Sequence, residues 1–320
     1  MKTVPSMPSA RPESSLTALQ AHIEEVFVGK PAVVRFSLVS LLAGGHLLIE
    51  DVPGVGKTTL ALGLARSVGC SFQRIQFTSD LLPSDILGVS VLNAKTQEFD
   101  FHKGPIFNQI ILADELNRAT PRTQSALLES MNERQVTIDN QTYALPAPFF
   151  VVGTQNPQEH HGTFPLPESQ LDRFMMRLSI GYPDGEHEKI ILSMGMDISA
   201  VRKREPACTP AELLKWMERS PQVAVSPVVD DYILALVQAT RSAARVAVGV
   251  SPRGALSLRR AAQAYAMLEG RAYVTPDDIK ALAVPVLAHR LIFTSEQISD
   301  LRLQSERMIR SLLEQVPVPL

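Results

Sequence analysis

The chain has 320 residues and a formal net charge of −2, with 45% hydrophobic and 20% charged residues, which is ordinary for a globular protein. This length favours two domains, and no apolar run is long enough to cross a bilayer. The near-neutral charge excludes the overall basic field that most nucleic-acid-binding proteins carry, although it leaves room for a local basic patch.

The chain begins with a polar arm followed by two helices. Residues 1–14 hold several prolines and serines without an apolar core, which predicts a mobile arm rather than a signal peptide. Apolar spacing then predicts an amphipathic helix over residues 15–28 and a second helix over residues 32–43. Cys70 and Cys208 lie far apart in sequence and form no metal-ligand spacing, so they indicate buried thiols in a reducing cytosol.

The strongest pattern lies in residues 46–65, HLLIEDVPGVGKTTLALGLA, where a short apolar strand, a glycine turn and a helix follow one another. This order is typical of a phosphate-binding loop, because the turn and the helix N-terminus present backbone N–H groups to phosphate oxygens. Lys57 would reach the β- and γ-phosphates, and Thr58 would place its hydroxyl on Mg²⁺. The predicted nucleotide-binding residues here are Pro53, Gly54, Val55, Gly56, Lys57, Thr58 and Thr59.

Asp51 departs from this pattern, since it occupies the first glycine position of G-x-x-x-x-G-K-[ST]. Asp forms turns and tolerates unusual backbone angles, so we expect the loop to form nevertheless. The alternative is a turn between core elements that binds nothing. The Gly-Lys-Thr triplet between a strand and a helix makes phosphate binding the favoured interpretation.

Two acidic residues end the next buried strand. Residues 72–77 predict a strand and residues 90–102 a hairpin, ahead of the run QIILADE at residues 109–115. Asp114 and Glu115 would lie at the edge where open α/β sheets bind ligands, and buried acids are costly without a nearby cation. We predict that Asp114 orders Mg²⁺ and that Glu115 polarises the attacking water, as in a Walker B element. Two solvated acids at a strand exit are the alternative.

Two further candidates follow in the core. A hairpin over residues 135–145 and a strand over residues 149–152 lead to Asn156, which would lie beside the acids in a parallel sheet. An Asn there can hold the attacking water, although an Asn-Pro pair also forms a plain turn. Arg173 ends a short helix over residues 167–174, where it either suits the helix dipole or acts as an arginine finger on a neighbouring subunit's γ-phosphate.

The remainder of the chain is predicted to be helical, after a break at Tyr182 to Gly185. Arg253 falls in the first turn of one of these helices, where a cation opposes the helix dipole by about 0.3–1 kcal/mol. Either a nucleotide phosphate or a surface carboxylate would compensate it. The predicted division is a mobile arm (1–14), a nucleotide-binding core (15–184), a linker with the first lid helices (185–225) and a C-terminal helical lid (226–320).

Taken together, seven segments between Phe27 and Gly254 resemble the AAA+ ATPases, specifically the MoxR branch, and the resemblance extends to residue 292. They are FVGK (27–30), LLIEDVPGVGKTTLA (47–61), RIQFTSDLLPSDILG (74–88), GPIFNQIILADELNRA (104–119), VVGTQNP (151–157), LPESQLDRF (166–174) and SPRG (251–254). The resemblance implies an α/β fold with a P-loop αβα core, a five-stranded parallel sheet of order 5-1-4-3-2, and a C-terminal all-α lid. The two hairpins are similar to the helix-2 insert that marks this clade and to the hairpin that precedes sensor 1.

The resemblance also assigns roles to single residues. It implies adenine contacts near Val28 and Gly29, sensor 1 at Asn156, the arginine finger at Arg173 and sensor 2 at Arg253, acting in cis or in trans. Arg118, just past the acids, could also face a neighbouring subunit.

The function expected from this resemblance is an ATP-driven, Mg²⁺-dependent motor that forms a homo-oligomeric ring, expected to be a hexamer, in the cytoplasm. Its task would be chaperone-like remodelling or maturation of a protein client, through a partner with a von Willebrand factor A domain. One alternative is a nucleic-acid motor of the helicase or transcription-activator type. This alternative is less favoured, because such motors use basic loops and the second hairpin has only one flanking cation, Arg134. Another is a nucleotide-sensing switch without hydrolysis, which the presence of Glu115 and Asn156 argues against.

Overall fold

The computed structural model describes residues 15–157, 162–195, 198–294 and 300–318, so the predicted arm (1–14) lies outside the described residues. The α-helices are α1 (Leu16–Glu24), α2 (Pro31–Leu42), α3 (Lys57–Ser67), α4 (Pro83–Leu87), α5 (Pro121–Glu133), α6 (Glu168–Leu171), α7 (Gly185–Met194), α8 (Ile198–Arg202), α9 (Pro210–Arg219), α10 (Pro227–Ser242), α11 (Pro252–Leu268), α12 (Pro276–Leu287) and α13 (Leu301–Gln315). The strands are β1 (Leu47–Glu50), β2 (Phe72–Gln76), β3 (Gly88–Leu92), β4 (Phe99–Lys103), β5 (Ile110–Asp114), β6 (Gln135–Ile138), β7 (Gln141–Ala144), β8 (Phe150–Gln155), β9 (Met176–Leu178), β10 (Val246–Val248) and β11 (Ile292–Phe293).

Five parallel strands form the central sheet in the order β2-β5-β8-β1-β9. Numbered among these five strands alone, the order is 2-3-4-1-5, which is the expected order 5-1-4-3-2 taken from the other edge. Strands β5 and β8 lie inside the sheet and are buried up to their last residue. Their near-continuous apolar runs are what a strand covered on both faces requires. The carboxyl ends of β5, β8 and β1 therefore lie side by side.

The side chains of neighbouring strand residues enter two separate hydrophobic layers. Leu112 and Val152 belong to a layer built with α1, α2, α3 and the C-terminal helices. Ile111 and Val151 belong to the opposite layer, which contains the apolar face of α5. Each fully buried aliphatic side chain contributes about 1.5–3 kcal/mol, so these two layers fix the positions of the strand ends.

The C-terminal half is a helical lid whose helices begin with strong capping signals. Thr209 and Thr275 each accept a hydrogen bond from a backbone N–H of the first turn, and the carboxylates of Glu212 and Asp278 bond back to the cap residue. Such caps contribute about 1 kcal/mol each. The lid also contains the two-stranded antiparallel pair β10–β11, which is too short for periodicity to predict. Among the described helices, none combines the length and apolar character that crossing a membrane requires.

Two antiparallel hairpins, β3–β4 and β6–β7, extend from the core as predicted. The second turns at Asp139 and Asn140, whose positive φ angles of 49° and 64° are those of a tight hairpin turn. The hairpins contact one another, because the rings of Phe101 and Tyr143 stack with centroids 4.2 Å apart. The chain runs from the first hairpin into β5 and from the second into β8.

Candidate functional site

Two glycines shape the loop between β1 and α3. Gly54 and Gly56 have φ angles of 86° and 92°, a region that other residues adopt only with strain. A Cβ atom on Gly56 would also approach Cε2 of Phe27 to 3.1 Å. Helix α3 begins at Lys57, so its first N–H groups have no partner within the helix and its positive end faces the loop. The loop thus has the backbone geometry of an anion site.

Lys57 joins this loop to the neighbouring strand. Its Nζ donates hydrogen bonds to the backbone oxygen of Asp51 and, at 3.4 Å, to that of Gln155. Gln155 is the last residue of β8, so the ammonium group lies between the loop and the adjacent strand end. Thr58 and Thr59 follow in the first turn of α3 and are partly buried there.

Asp51, the residue at the first glycine position, is buried and serves as an acceptor. Its Oδ2 accepts hydrogen bonds from the Ser179 hydroxyl at 2.8 Å and from the backbone N–H groups of Ile180 and Gly181 at 2.7 Å each. Its Oδ1 accepts from the N–H of Val52 at 2.8 Å. Burial alone would raise the pKa of Asp51, but these hydrogen bonds outweigh it and hold the pKa below its ordinary value. The carboxylate therefore ties the loop to the segment that follows β9.

Asp114 ends β5 and is held by a hydroxyl and a guanidinium. Its Oδ1 accepts a hydrogen bond from Thr154 Oγ1 at 2.6 Å. Its Oδ2 accepts from Nη2 and Nε of Arg74 at 2.7 and 3.1 Å. Arg74 lies on the edge strand β2 and is half exposed, whereas the Asp114 side chain is only 13% exposed. These partners satisfy the carboxylate where it would otherwise be a costly buried charge.

Glu115 has a left-handed backbone with φ of 57°, which turns the chain sharply after β5. Its N–H donates to Thr154 Oγ1 at 2.9 Å, so one hydroxyl orders both acids. Its Oε2 accepts from Gln76 Nε2 at 2.7 Å and from Arg118 Nη1 at 3.0 Å. The Glu115 carboxylate is thus held by the polar side chains of Gln76 and Arg118.

Asn156 directly follows β8 and is buried. Its backbone oxygen accepts from Asn117 Nδ2 at 3.4 Å. Because β8 pairs in parallel with β1 on one side and β5 on the other, the structure brings Asn156 between the phosphate loop and the two acids. The arrangement predicted from parallel strand ends is therefore present.

A cavity of about 780 Å³ opens beside the loop. Five predicted nucleotide-binding residues line it, namely Val28, Gly54, Val55, Gly56 and Thr59, together with Tyr182, Leu192 and Arg204, which sequence patterns did not single out. Its size is that of a small-molecule pocket. Gly29 has a different role: its φ is 84°, and a Cβ atom there would approach Cγ of His187 to 2.7 Å. Gly29 thus lets α7 pack closely. Pro53 is exposed at the outer side of the loop.

The two predicted arginines lie elsewhere. Helix α6 ends at Leu171, earlier than predicted, because bonds from the N–H of Arg173 to Gln170 and of Phe174 to Leu171 tighten the chain into a turn. Arg173 thus lies beyond the helix, in that turn. Its guanidinium finds no acceptor within the described residues. Arg253 is the second residue of α11 and is exposed.

Sequence reasoning missed the polar residues that hold the two acids. Arg74 and Gln76 alternate on β2, the strand paired with β5, and Arg74 Nη2 also donates to Gln76 Oε1 at 2.7 Å. Polar residues at alternate positions, beside a strand that ends in acids, are the signal that could have found them. Thr154 could have been found as the residue of β8 opposite the end of β5.

The chain is similar to known proteins of the AAA ATPase family. Residues 46–176 match the profile of the ATPase family associated with various cellular activities (AAA), and residues 238–310 match the AAA lid domain. The chain is 48% identical to YeaC of Bacillus subtilis, an uncharacterised protein, over 93% of each chain. It is 40% identical to chaperone MoxR1 of Mycobacterium tuberculosis, over 93% of this chain and 81% of that one. A solved structure from Cytophaga hutchinsonii, described as a candidate ATPase, superposes with a TM-score of 0.84 at 37% identity, covering 94% of each chain.

Proposed function

Because this chain belongs to the MoxR family of AAA ATPases, we propose that it is a Mg²⁺-dependent enzyme that hydrolyses ATP to ADP and phosphate and uses this reaction to remodel a protein client. The observation that carries the proposal is the convergence of the phosphate loop, Asp114, Glu115 and Asn156 at three adjacent strand ends. A cavity of about 780 Å³ beside them suits the base and ribose.

The residues present fit a magnesium triphosphate. The loop glycines and the N-terminus of α3 offer N–H donors, and the Lys57 ammonium group lies at the loop, where phosphate oxygens would replace the backbone oxygens of Asp51 and Gln155 as acceptors. The Thr58 hydroxyl and the Asp114 carboxylate are hard oxygen donors of the kind that hold Mg²⁺. Bound Mg²⁺ would neutralise charge on the triphosphate.

The remaining polar groups have distinct tasks in this mechanism. Glu115 accepts the proton of the attacking water once it leaves Gln76 and Arg118, and Asn156 fixes that water in position. Arg74 donates two hydrogen bonds to Asp114 Oδ2 and would therefore compete with Mg²⁺ for this carboxylate. The Thr154 hydroxyl bonds both the Glu115 N–H and the Asp114 carboxylate and so holds the two acids in fixed relative positions.

We further propose a homo-oligomeric ring, most simply a hexamer, in which Arg173 serves the neighbouring subunit's nucleotide. Support comes from a partly exposed guanidinium with no acceptor in the described part of its own chain. Arg173 and Arg253 are also absent from the residues that line the cavity of their own chain. Completion of a site by a cation from the next subunit stabilises charge that develops in the transition state.

The client is proposed to be a protein, in the cytoplasm, engaged through a partner with a von Willebrand factor A domain. A relative in Mycobacterium tuberculosis is named as a chaperone. The first hairpin carries exposed apolar side chains, with Phe99 72% and Leu92 50% exposed, which suits a protein surface better than a phosphate backbone. On the second hairpin, Arg134 is engaged, donating to the backbone oxygen of Gly44 at 3.0 Å, and this disfavours the nucleic-acid alternative.

Substitution of Lys57 tests the ATPase assignment. The Lys57→Ala variant should lose ATP hydrolysis, because the loop then lacks the ammonium group that neutralises the β- and γ-phosphates. Phosphate release is the measurement, and Lys215→Ala, an exposed lysine of α9, is the matched control. Hydrolysis by Lys57→Ala at the wild-type rate would refute the assignment.

Assemblies that mix two inactive variants test whether Arg173 acts on the neighbouring subunit. Arg173→Ala should bind ATP but not turn it over, and Glu115→Gln should bind without hydrolysis. Mixing them should restore turnover, because a Glu115→Gln subunit supplies Arg173 to an intact site next to it. Absence of any rescue, with both variants assembled, would count against action in trans.

A further inference from the structure

A short turn of the lid grips the segment of the core that carries Arg173. This turn is the 3₁₀ helix Ala288–Arg290, at the end of α12. It contacts residues 172–175, which connect α6 to β9. We name this contact the lid clamp. It joins residues 118 positions apart in the chain.

Arg290 uses every edge of its guanidinium in the lid clamp. Its Nε donates to Asp172 Oδ1 at 2.7 Å, and Nη2 donates to the backbone oxygens of Phe174 at 2.8 Å and Asp172 at 3.3 Å. Its Nη1 donates to the backbone oxygen of Met175 at 3.3 Å, and also bonds the backbone oxygen of Val286. A planar fork with five donors therefore defines the path of the backbone on both sides of Arg173.

The cation of the lid clamp is buried, whereas its carboxylate is partly exposed. The Arg290 side chain is 2% exposed, and that of Asp172 is 23% exposed. Burial lowers the pKa of Arg290, and the Asp172 carboxylate opposes that shift. A buried cation of this kind leaves several donors and acceptors unsatisfied if it moves, so the clamp holds one geometry rather than many.

The N-terminus of α11 also contacts the lid clamp, through Ser251. The Ser251 hydroxyl caps α11 at the N–H of Gly254 and lies 3.3 Å from Asp172 Oδ2. Gly254 leaves room for the clamp, since a Cβ atom there would approach Cδ of Arg290 to 2.8 Å. Arg253 sits between these two residues in the first turn of α11. Arg173 and Arg253 thus both lie next in sequence to residues that contact the Arg290–Asp172 ion pair.

The lid clamp binds the residues on both sides of Arg173 but not the Arg173 side chain. Both of its neighbours on the chain, Asp172 and Phe174, are bound by Arg290, while its own guanidinium has no acceptor in the described segments. Fixing the backbone on each side of a side chain limits where its head can reach.

We propose that Arg290 is a positioning residue for the ATPase reaction: through Asp172 and the adjacent carbonyls it sets the orientation in which Arg173 is presented to the neighbouring subunit, so that the lid of one subunit controls hydrolysis in the next. This inference rests on the proposed function, because it presupposes that Arg173 acts in trans. It names the contact through which the lid and the finger communicate.

The test places Arg290→Gln in one or the other member of the mixed assembly. In the donor arrangement, Glu115→Gln subunits also carry Arg290→Gln and supply Arg173 to Arg173→Ala subunits. In the receiver arrangement, the Arg173→Ala subunits carry Arg290→Gln instead. Phosphate release is compared with that of the parent mixture of Glu115→Gln and Arg173→Ala. Misplacement of a catalytic cation by about 1 Å can cost about 100-fold, so the donor arrangement should lose at least about tenfold more activity than the receiver arrangement.

Arg271→Gln is the matched control, because it breaks the Arg271–Asp278 pair, which lies within the lid and contains a 4% exposed carboxylate. It should act equally in donor and receiver. If Arg290→Gln does not assemble, Asp172→Asn takes its place in both arrangements, since it keeps the shape of the side chain and removes the charge that Arg290 binds.

Three outcomes overturn the inference, and they are distinguishable. Equal losses in donor and receiver would make the lid clamp purely structural. No loss in either would make it irrelevant to the finger. Failure of the parent mixture itself to hydrolyse ATP would remove the trans finger, and with it both this inference and that part of the proposed function.

Discussion

Replacing Asp51 by glycine, the residue that phosphate-binding loops usually have at this position, should destabilise the protein rather than improve the loop. The Asp51 carboxylate accepts four hydrogen bonds, at 2.8 Å from Val52 and from the Ser179 hydroxyl and at 2.7 Å from Ile180 and Gly181. Three of the four donors belong to the segment after β9, so the substitution frees that segment from the loop.

The magnitude follows from these contacts. A hydrogen bond to a charged group contributes about 1.5–3 kcal/mol, and a buried donor that loses its acceptor costs its full desolvation penalty. The N–H of Ile180 is buried, whereas water can replace the carboxylate at the other donors in part. Together with the backbone entropy of an added glycine, we expect a loss of about 4 kcal/mol in the free energy of unfolding.

Equilibrium urea unfolding at neutral pH, followed by circular dichroism, measures this loss as a lower midpoint at unchanged slope. Asp51→Asn is the matched control: it keeps one acceptor oxygen and the side-chain shape, so we expect a loss of about 2 kcal/mol. Burial raises and hydrogen bonds lower the pKa of Asp51, with a net decrease, so the carboxylate is charged at neutral pH and its contribution disappears only in acid. A glycine variant as stable as the wild type would refute the reasoning.

Two further predictions concern other polar groups. Burial lowers the pKa of His46 to about 4, against 6.5 when unfolded, so the stability it contributes is complete above about pH 6.5 and declines by about 3 kcal/mol as the pH falls to 4. Urea unfolding between pH 6.5 and 4 should show a smaller loss in the free energy of unfolding for His46→Gln than for the wild type. Equal losses would contradict the lowered pKa of His46. Removal of Arg74, a partly exposed partner of Asp114, should lower the Mg²⁺ concentration for half-maximal ATPase activity about two- to fivefold, since such pairs contribute about 0.5–1 kcal/mol. Arg35→Ala, which breaks a surface pair with Glu269, should leave that concentration unchanged. The same Mg²⁺ dependence for Arg74→Ala as for the wild type would contradict the idea that Arg74 competes with Mg²⁺ for Asp114.

The sheet and the candidate catalytic residues were within reach of the sequence. Strands β5 and β8 are almost wholly apolar and carry their polar residues at the carboxyl ends, so the parallel arrangement itself predicts that Asp114 and Asn156 meet. The glycine turn was equally predictable, because positive φ angles at Gly54 and Gly56 are what such a loop demands. These inferences use only local periodicity and one rule of topology.

The partners of these residues were not within reach, because each comes from a distant part of the chain. Asp51 accepts hydrogen bonds from residues about 130 positions away. Arg290 looks, in sequence, like any cation after a helix, and only the docked lid places it against Asp172. Arg173 was predicted at the end of a helix, whereas local bonds from the N–H groups of Arg173 and Phe174 tighten the chain into a turn after Leu171, so a helix-dipole argument does not apply to Arg173. Local patterns cannot specify such pairs, since they depend on how separate elements pack.

The stacked hairpins have a mechanical consequence. The stacked rings of Phe101 and Tyr143 link the two hairpins. The first hairpin continues into β5, which ends at Asp114, and the second continues into β8, which Asn156 directly follows. A force applied to one hairpin would therefore be transmitted to the other hairpin through the stacked rings. A displacement of either hairpin would therefore change the separation between Asp114 and Asn156.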